Sequence, residues 1–163
     1  PYGRRYELSD DTLIKALYVA SGFGAVIAQR ASISGAEAGC QAEIGTAAAM
    51  AAAALVYLHG GSAVQMANAA AMALKNMMGL VCDPVAGLVE VPCIKRNAAG
   101  AMNALCAAEM ALAGIESRIP PDEVIDAMAA VGAALPSSLR ETGMGGIAAS
   151  PTAVRFREEF FGQ

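Results

Sequence analysis

The sequence predicts an all-α fold, a compact bundle of about six helices joined by cysteine-bearing loops. Alanine, methionine and leucine recur at helical spacing over long stretches, and the punctuation between these stretches is that of helix ends. No strand-like alternation of useful length appears. The composition is 56% apolar but only 5% aromatic, which suits helices packed closely through small side chains better than a β-sandwich. A chain of 163 residues can bury a real core, so residues 1–163 read as a single helical domain.

Ser9 followed by Asp10, Asp11 and Thr12 forms an N-cap with acids in the first turn, and Leu13, Leu17, Ala20 and Phe23 keep helical spacing. The first helix is expected from about Ser9 to Ala28. "SISGAEAGCQAEIG" follows, where Ser32, Ser34, Gly35, Gly39 and Gly45 crowd together, so this stretch reads as part loop, or as a helix end closely approached by backbone. Alanines favour a helix from about Ala42 to Leu58, which "HGGS" ends. Ser62 can cap "AVQMANAAAMALKNMMG", a helix ending near Gly79. Asn97 to Ala113 reads as another helix, stopped by Gly114. "PPDEVIDAMAAVG" places prolines and acids for a helix running through about Val131. "LPSSLRETGMGGIAASPT" reads as a polar, glycine-rich loop and "AVRFREEFFG" as a last short helix.

Charge and hydropathy narrow the function classes. The net charge is −4 with no lysine- or arginine-rich run, so the footprint of a nucleic-acid partner is missing. The longest apolar run, Thr46 to Leu58, falls short of the roughly 20 residues that cross a bilayer, and Ala98 to Ile115 is interrupted by Asn103 and Glu109. "PYGRRYELSDD" leads into a polar helix start, so no signal peptide is expected from it. The expectation is a soluble, cytoplasmic protein with no membrane partner.

The four cysteines are Cys40, Cys82, Cys93 and Cys106. In a reducing compartment, metal ligation or buried thiols are better readings than disulfides. Pro84 pushes Asp83 out of helical geometry and Pro92 does the same to Val91, while Gly79 and Gly87 supply flexible backbone. Cys82 and Cys93 are therefore expected in non-helical turns between two helices, an arrangement that can aim thiolates at one point.

Three of the cysteines lie in "GCQAEIG", "LVCDPVAG" and "VPCIKRN", separated by 42 and 11 positions. With "ASISGAEAGCQAEIG", "KNMMGLVCDPVAGLVEVPCIKRNA", "GIESRIPPDEVIDAM" and "LRETGMGGIAASPT", they make the sequence resemble the α chain of the two-subunit bacterial iron–sulfur L-serine dehydratases over nearly its whole length. The resemblance implies that Cys40, Cys82 and Cys93 hold a [4Fe-4S] cluster and leaves Cys106 as a packed thiol. It also implies an L-serine substrate, a separate β chain, an oligomeric enzyme, and a further N-terminal half of the α chain before the region matched here.

Each iron of a cubane needs a terminal ligand, usually a thiolate. Three cysteines leave one iron open, as in a catalytic metal site, where it can act as a Lewis acid. The implied reaction is a non-redox elimination: a base takes the Cα proton, hydroxide leaves, and the resulting aminoacrylate hydrolyses to pyruvate and ammonia. Pyridoxal phosphate is not expected, because none of Lys15, Lys75 and Lys95 sits in a setting that suggests a Schiff base.

Other residues offer two readings each. Ser32, Ser34 and Gly35 are candidates for binding the substrate carboxylate, or an ST-turn and cap. Lys95, Arg96 and Asn97 are candidates for the same carboxylate or for donors to cluster sulfides, or a solvated helix start. Asp83 and Glu43 are candidate bases or orienting groups, or ordinary caps. His59 suits a helix end. The competing reading of the whole chain is a non-catalytic helical assembly module with a structural metal or free thiols.

Overall fold

The computed structural model describes residues 2–162. It contains eight α-helices: α1 (Tyr2–Arg5), α2 (Asp10–Arg30), α3 (Gly35–Ala38), α4 (Thr46–Leu58), α5 (Ala63–Met77), α6 (Cys93–Leu112), α7 (Pro121–Ala134) and α8 (Pro151–Phe161). A π-helical turn, Gln41–Gly45, runs directly into α4, and short 3₁₀ turns occupy Val85–Gly87, Ser137–Leu139 and Gly146–Ala149. No β-strand is present among the described residues; one isolated parallel bridge joins Cys82 to Arg140. The all-α class is as expected, with α1 and α3, only four residues each, added to the six longer helices.

The helix ends follow from local chemistry. Ser9 accepts the Thr12 N–H and caps α2. Ser62 and Gln65 form a reciprocal capping box that starts α5. Ser150 caps α8, and Gly162 closes it in left-handed geometry. One boundary differs from expectation: α6 starts at Cys93, not near Asn97. A proline restricts the residue before it, here Val91, whereas the residue after it is free to enter a helix. Cys93 therefore stands in the first turn of a helix and only Cys82 lies in irregular chain.

At the centre is α4, packed against α2, α5 and α6. Its alanines Ala48 and Ala52 meet Ala69, Ala73, Ala104, Ala107 and Ala111 in one core cluster, where small side chains let the backbones approach. A second cluster joins Ile27, Ala49, Ala53, Leu74, Val124 and Met128, and so seats α2 and α7 on the other side of α4 and α5. On the surface, Arg30 forks onto Asp126 at 3.1 and 2.7 Å and ties the end of α2 to α7.

Because the π-turn continues into α4, residues 41–58 form one 18-residue helical stretch, longer than the apolar run Thr46–Leu58 suggested. It and α2 are long and apolar enough to cross a membrane by length and composition alone. The first is 56% buried, as the core helix of a bundle is; α2 is 17% buried and exposes Ile14, Leu17 and Tyr18.

Candidate functional site

Where α3, the π-turn, the chain after α5 and the start of α6 meet, Cys40, Ile44 and Cys82 form a third buried cluster with Leu80 and Cys93 against it. The chain reaches Cys40 through Gly39, whose φ of +78° and close approach to Leu80 exclude a side chain: a Cβ there would lie 2.8 Å from the Leu80 carbonyl. Next to Cys40, the buried amide of Gln41 knits three segments together. Its Nε2 donates to Ala38 (3.0 Å) and to Met128 in α7 (3.2 Å), and its Oε1 accepts the Gly79 N–H (2.8 Å). The Gln41 backbone N–H donates to Leu80 at 2.9 Å. Sequence reasoning passed over Gln41, although a lone amide at the head of an alanine-rich helix is a signal that something polar must meet it. Gln41→Ala should lower unfolding stability by about 2–3 kcal/mol through lost hydrogen bonds and a new cavity, read by denaturant unfolding of metal-free protein. Unchanged stability would show that Gln41 is not the knot described.

Cys82 is held by the chain that precedes α8. Its N–H donates to Leu139 (2.9 Å) and its carbonyl accepts the Glu141 N–H (2.8 Å), which makes the bridge to Arg140. Asp83, only 3% exposed, is fully engaged: Oδ1 accepts from Arg96 Nη1 at 2.6 Å and Oδ2 accepts the Ile147 N–H at 2.7 Å. Arg96 Nη1 also donates to the Val81 carbonyl at 3.0 Å. Gly146 makes the Ile147 contact possible, since with φ +59° a Cβ there would fall 2.2 Å from Asp83 Oδ2. Asp83 thus fastens three segments, the Cys82 turn, α6 and the "GMGG" loop.

The thiols influence one another. Burial, and then the adjacent Cys40, push the Cys82 thiol far above the ordinary thiol range. Cys93 is raised for the same reasons, with Arg96 opposing. Metal-free protein therefore keeps both protonated at neutral pH, and loading a metal must release those protons. Among the described residues no group of three or more His, Cys, Asp or Glu side chains is set to hold a single metal ion. A closed zinc site needs four donors round one point, whereas a cubane takes each thiolate on a separate iron. Gly35 lies against this centre, and a Cβ there would be 3.2 Å from both Cys82 Sγ and Glu43 Oε2. A carboxylate and a thiol thus flank space that any other residue would fill, which suits three separate thiolates around a bulky group.

The other candidates are placed as follows. Ser32 donates to the Glu37 carboxylate and accepts the Ser34 N–H at 3.0 Å, an ST-turn before α3. Ser34 is the N-cap residue of α3, with no side-chain capping bond. Lys95 is exposed, and the Asn97 amide is turned back to the Cys93 carbonyl at 3.0 Å. Glu43 is exposed on the π-turn. His59 caps α4 and meets the Tyr2 hydroxyl. Cys106 is exposed rather than packed. It lies on the face of α6 opposite Ala104, Ala107 and Ala111, which take the core positions.

Two cavities adjoin the centre. One of about 680 Å³ lies between the Cys82–Pro92 chain and α8, with apolar walls of Val85, Leu88, Ile147 and Phe156. The other, about 420 Å³, lies between α2 and α4 and includes Glu43 and Thr46.

Comparison with known proteins decides the family. Residues 2–148 match the serine dehydratase alpha chain family. The chain belongs to that family. It is 61% identical over 152 residues to the "Probable L-serine dehydratase, alpha chain" of Bacillus subtilis, covering 93% of this chain and 51% of that protein. A protein of the same name from Latilactobacillus sakei is 56% identical over 160 residues, covering 98% of this chain and 77% of that one. The "L-serine dehydratase, alpha chain" of Peptoniphilus asaccharolyticus is 49% identical over 156 residues, covering 96% and 53%. The chain spans about half the length of two of these relatives and more of the third.

Proposed function

We propose that this chain is the cluster-bearing part of an L-serine dehydratase, in which Cys40, Cys82 and Cys93 hold a [4Fe-4S] cluster and L-serine is converted to pyruvate and ammonia. The observation that carries the reading is that Cys40 and Cys82 lie together in a buried cluster with the partly buried Cys93 packed against it, in a family whose named members are L-serine dehydratases. When bound, such a cluster supplies an iron open to the substrate hydroxyl, a Lewis acid that eases departure of hydroxide. The chain's own residues fix and shield it. Gln41 sets the position of Cys40, and Asp83 with Arg96 sets that of Cys82. Leu80 and Ile44 keep water from the thiols. Gly35, having no side chain, lets the α3 backbone lie close to Cys82 and Glu43. The activity is carried by the whole enzyme, completed by the remaining α-chain portion and a β chain, in keeping with the "alpha chain" names of the relatives.

The test is pyruvate release from L-serine by the completed enzyme after anaerobic reconstitution with iron and sulfide. Turnover that disappears on exposure to air, together with the iron, is expected, because an iron open to substrate is open to oxidants. Full iron loading without any lyase activity would overturn the proposed reaction, and zinc uptake without iron would favour a structural metal site.

A further inference from the structure

The groove between α2 and α4 is lined by Glu43 and Thr46, which the chemistry above does not use, and by Ser21 on its α2 wall. Its walls are mostly small or apolar, among them Ala25, Ile33 and Met50. Glu43, at the end next to Gly35, is exposed and enters none of the ion pairs among the described residues. Thr46 is 3% exposed, and its hydroxyl has no hydrogen-bond partner. A helical threonine ordinarily returns its hydroxyl to a carbonyl one turn earlier. Here the preceding turn is the π-helical Gln41–Gly45, which alters that register, and Thr46 does not make the bond. Such turns often mark functional sites. A buried hydroxyl without a partner is costly unless a ligand supplies one.

We propose that this groove binds the α-ammonium group of L-serine, with the Glu43 carboxylate as its counter-charge and the Thr46 hydroxyl as a second acceptor. The inference rests on the L-serine reading above and extends it to the group that recognises the amine. Glu43 is the one charged side chain lining the groove, and its sign selects a cation. The substrate's own carboxylate is repelled by it and turned away. Glu43 Oε2 and Cys82 Sγ would each lie 3.2 Å from a Cβ at Gly35, so an amine held at Glu43 is within a short side chain's reach of the Cys82 thiol.

Steady-state kinetics of the completed, reconstituted enzyme test this, with two competitive inhibitors: L-alanine, which keeps the amine, and β-hydroxypropionate, which lacks it. Glu43→Gln should raise KM for L-serine and Ki for L-alanine by about ten- to a hundredfold, the worth of a charge-assisted hydrogen bond. It should leave Ki for β-hydroxypropionate and the iron and sulfide content unchanged. Thr46→Val, which removes only the orphan hydroxyl, should raise KM about fivefold without lowering stability. Equal weakening of both inhibitors, or a fall in kcat with KM and both Ki values unchanged, would overturn the amine subsite. Failure of the unsubstituted enzyme to load a cluster or to turn over L-serine would instead strike the serine reading, and this subsite with it.

Discussion

Replacing Asp83 by alanine is expected to lower the unfolding midpoint of the metal-free protein by roughly 6–20 °C. The figure follows from the about 3–5 kcal/mol lost when one partner of a buried ion pair is removed, at 2–4 °C per kcal/mol for a domain of this size. The cause is specific. Asp83→Ala leaves the Arg96 guanidinium, which is largely buried, without its carboxylate and the Ile147 N–H without its acceptor. The "GMGG" loop then loses its hold on the turn that presents Cys82, so cluster loading should fall with stability. Asp83→Asn, which keeps an acceptor for Ile147 but removes the charge, should lie between the two. Thermal unfolding and iron analysis of both variants read these effects together. If Asp83→Asn abolished kcat while stability and iron content stayed at the unsubstituted level, Asp83 would be the base that removes the Cα proton, and the fastening role would be wrong.

The second large effect concerns the thiols. Changing any one of Cys40, Cys82 or Cys93 to serine is expected to reduce reconstituted iron and sulfide to near background and to abolish lyase activity in the completed enzyme. In the proposed ligand set each thiolate is one of three anchors, and two would not hold a cubane in place. Cys106→Ser serves as the internal comparison. Cys106 is exposed on the outer face of α6, and its loss should leave loading and activity unchanged. Loss of the cluster on Cys106→Ser, with retention on Cys93→Ser, would reassign the ligand set.

Much of this architecture is legible in the sequence because its causes are local. Ser9, Ser62 and Gly162 act at helix ends through contacts a few residues away, and alanine-rich helices announce themselves. The cysteine motifs are likewise visible as interruptions of helical spacing. What escapes is what depends on distant chain. Asp83 lies beside a cysteine and so invites a catalytic reading, yet its partner Ile147 is 64 residues away and nothing in the Cys82 segment points to it. The Gln41 amide meets Met128 across 87 residues for the same reason. The face that α6 buries is equally hard to read, because in an alanine-rich helix every side offers small residues, and Cys106 falls on the solvent side. The π-turn that carries Glu43 into the α2–α4 groove has no composition signature. Its residues, "QAEIG", would suit an ordinary helix except for the closing glycine.

Three protein thiolates and one iron left for substrate are central to the proposed function. Mössbauer spectroscopy of the completed enzyme, reconstituted with isotopically enriched iron and measured with and without L-serine, addresses this directly. The prediction is a cubane in which one iron site of the four shifts on adding L-serine and the other three do not. A cluster whose four irons stay equivalent and indifferent to L-serine, or reconstituted protein without a cubane signal, would contradict it.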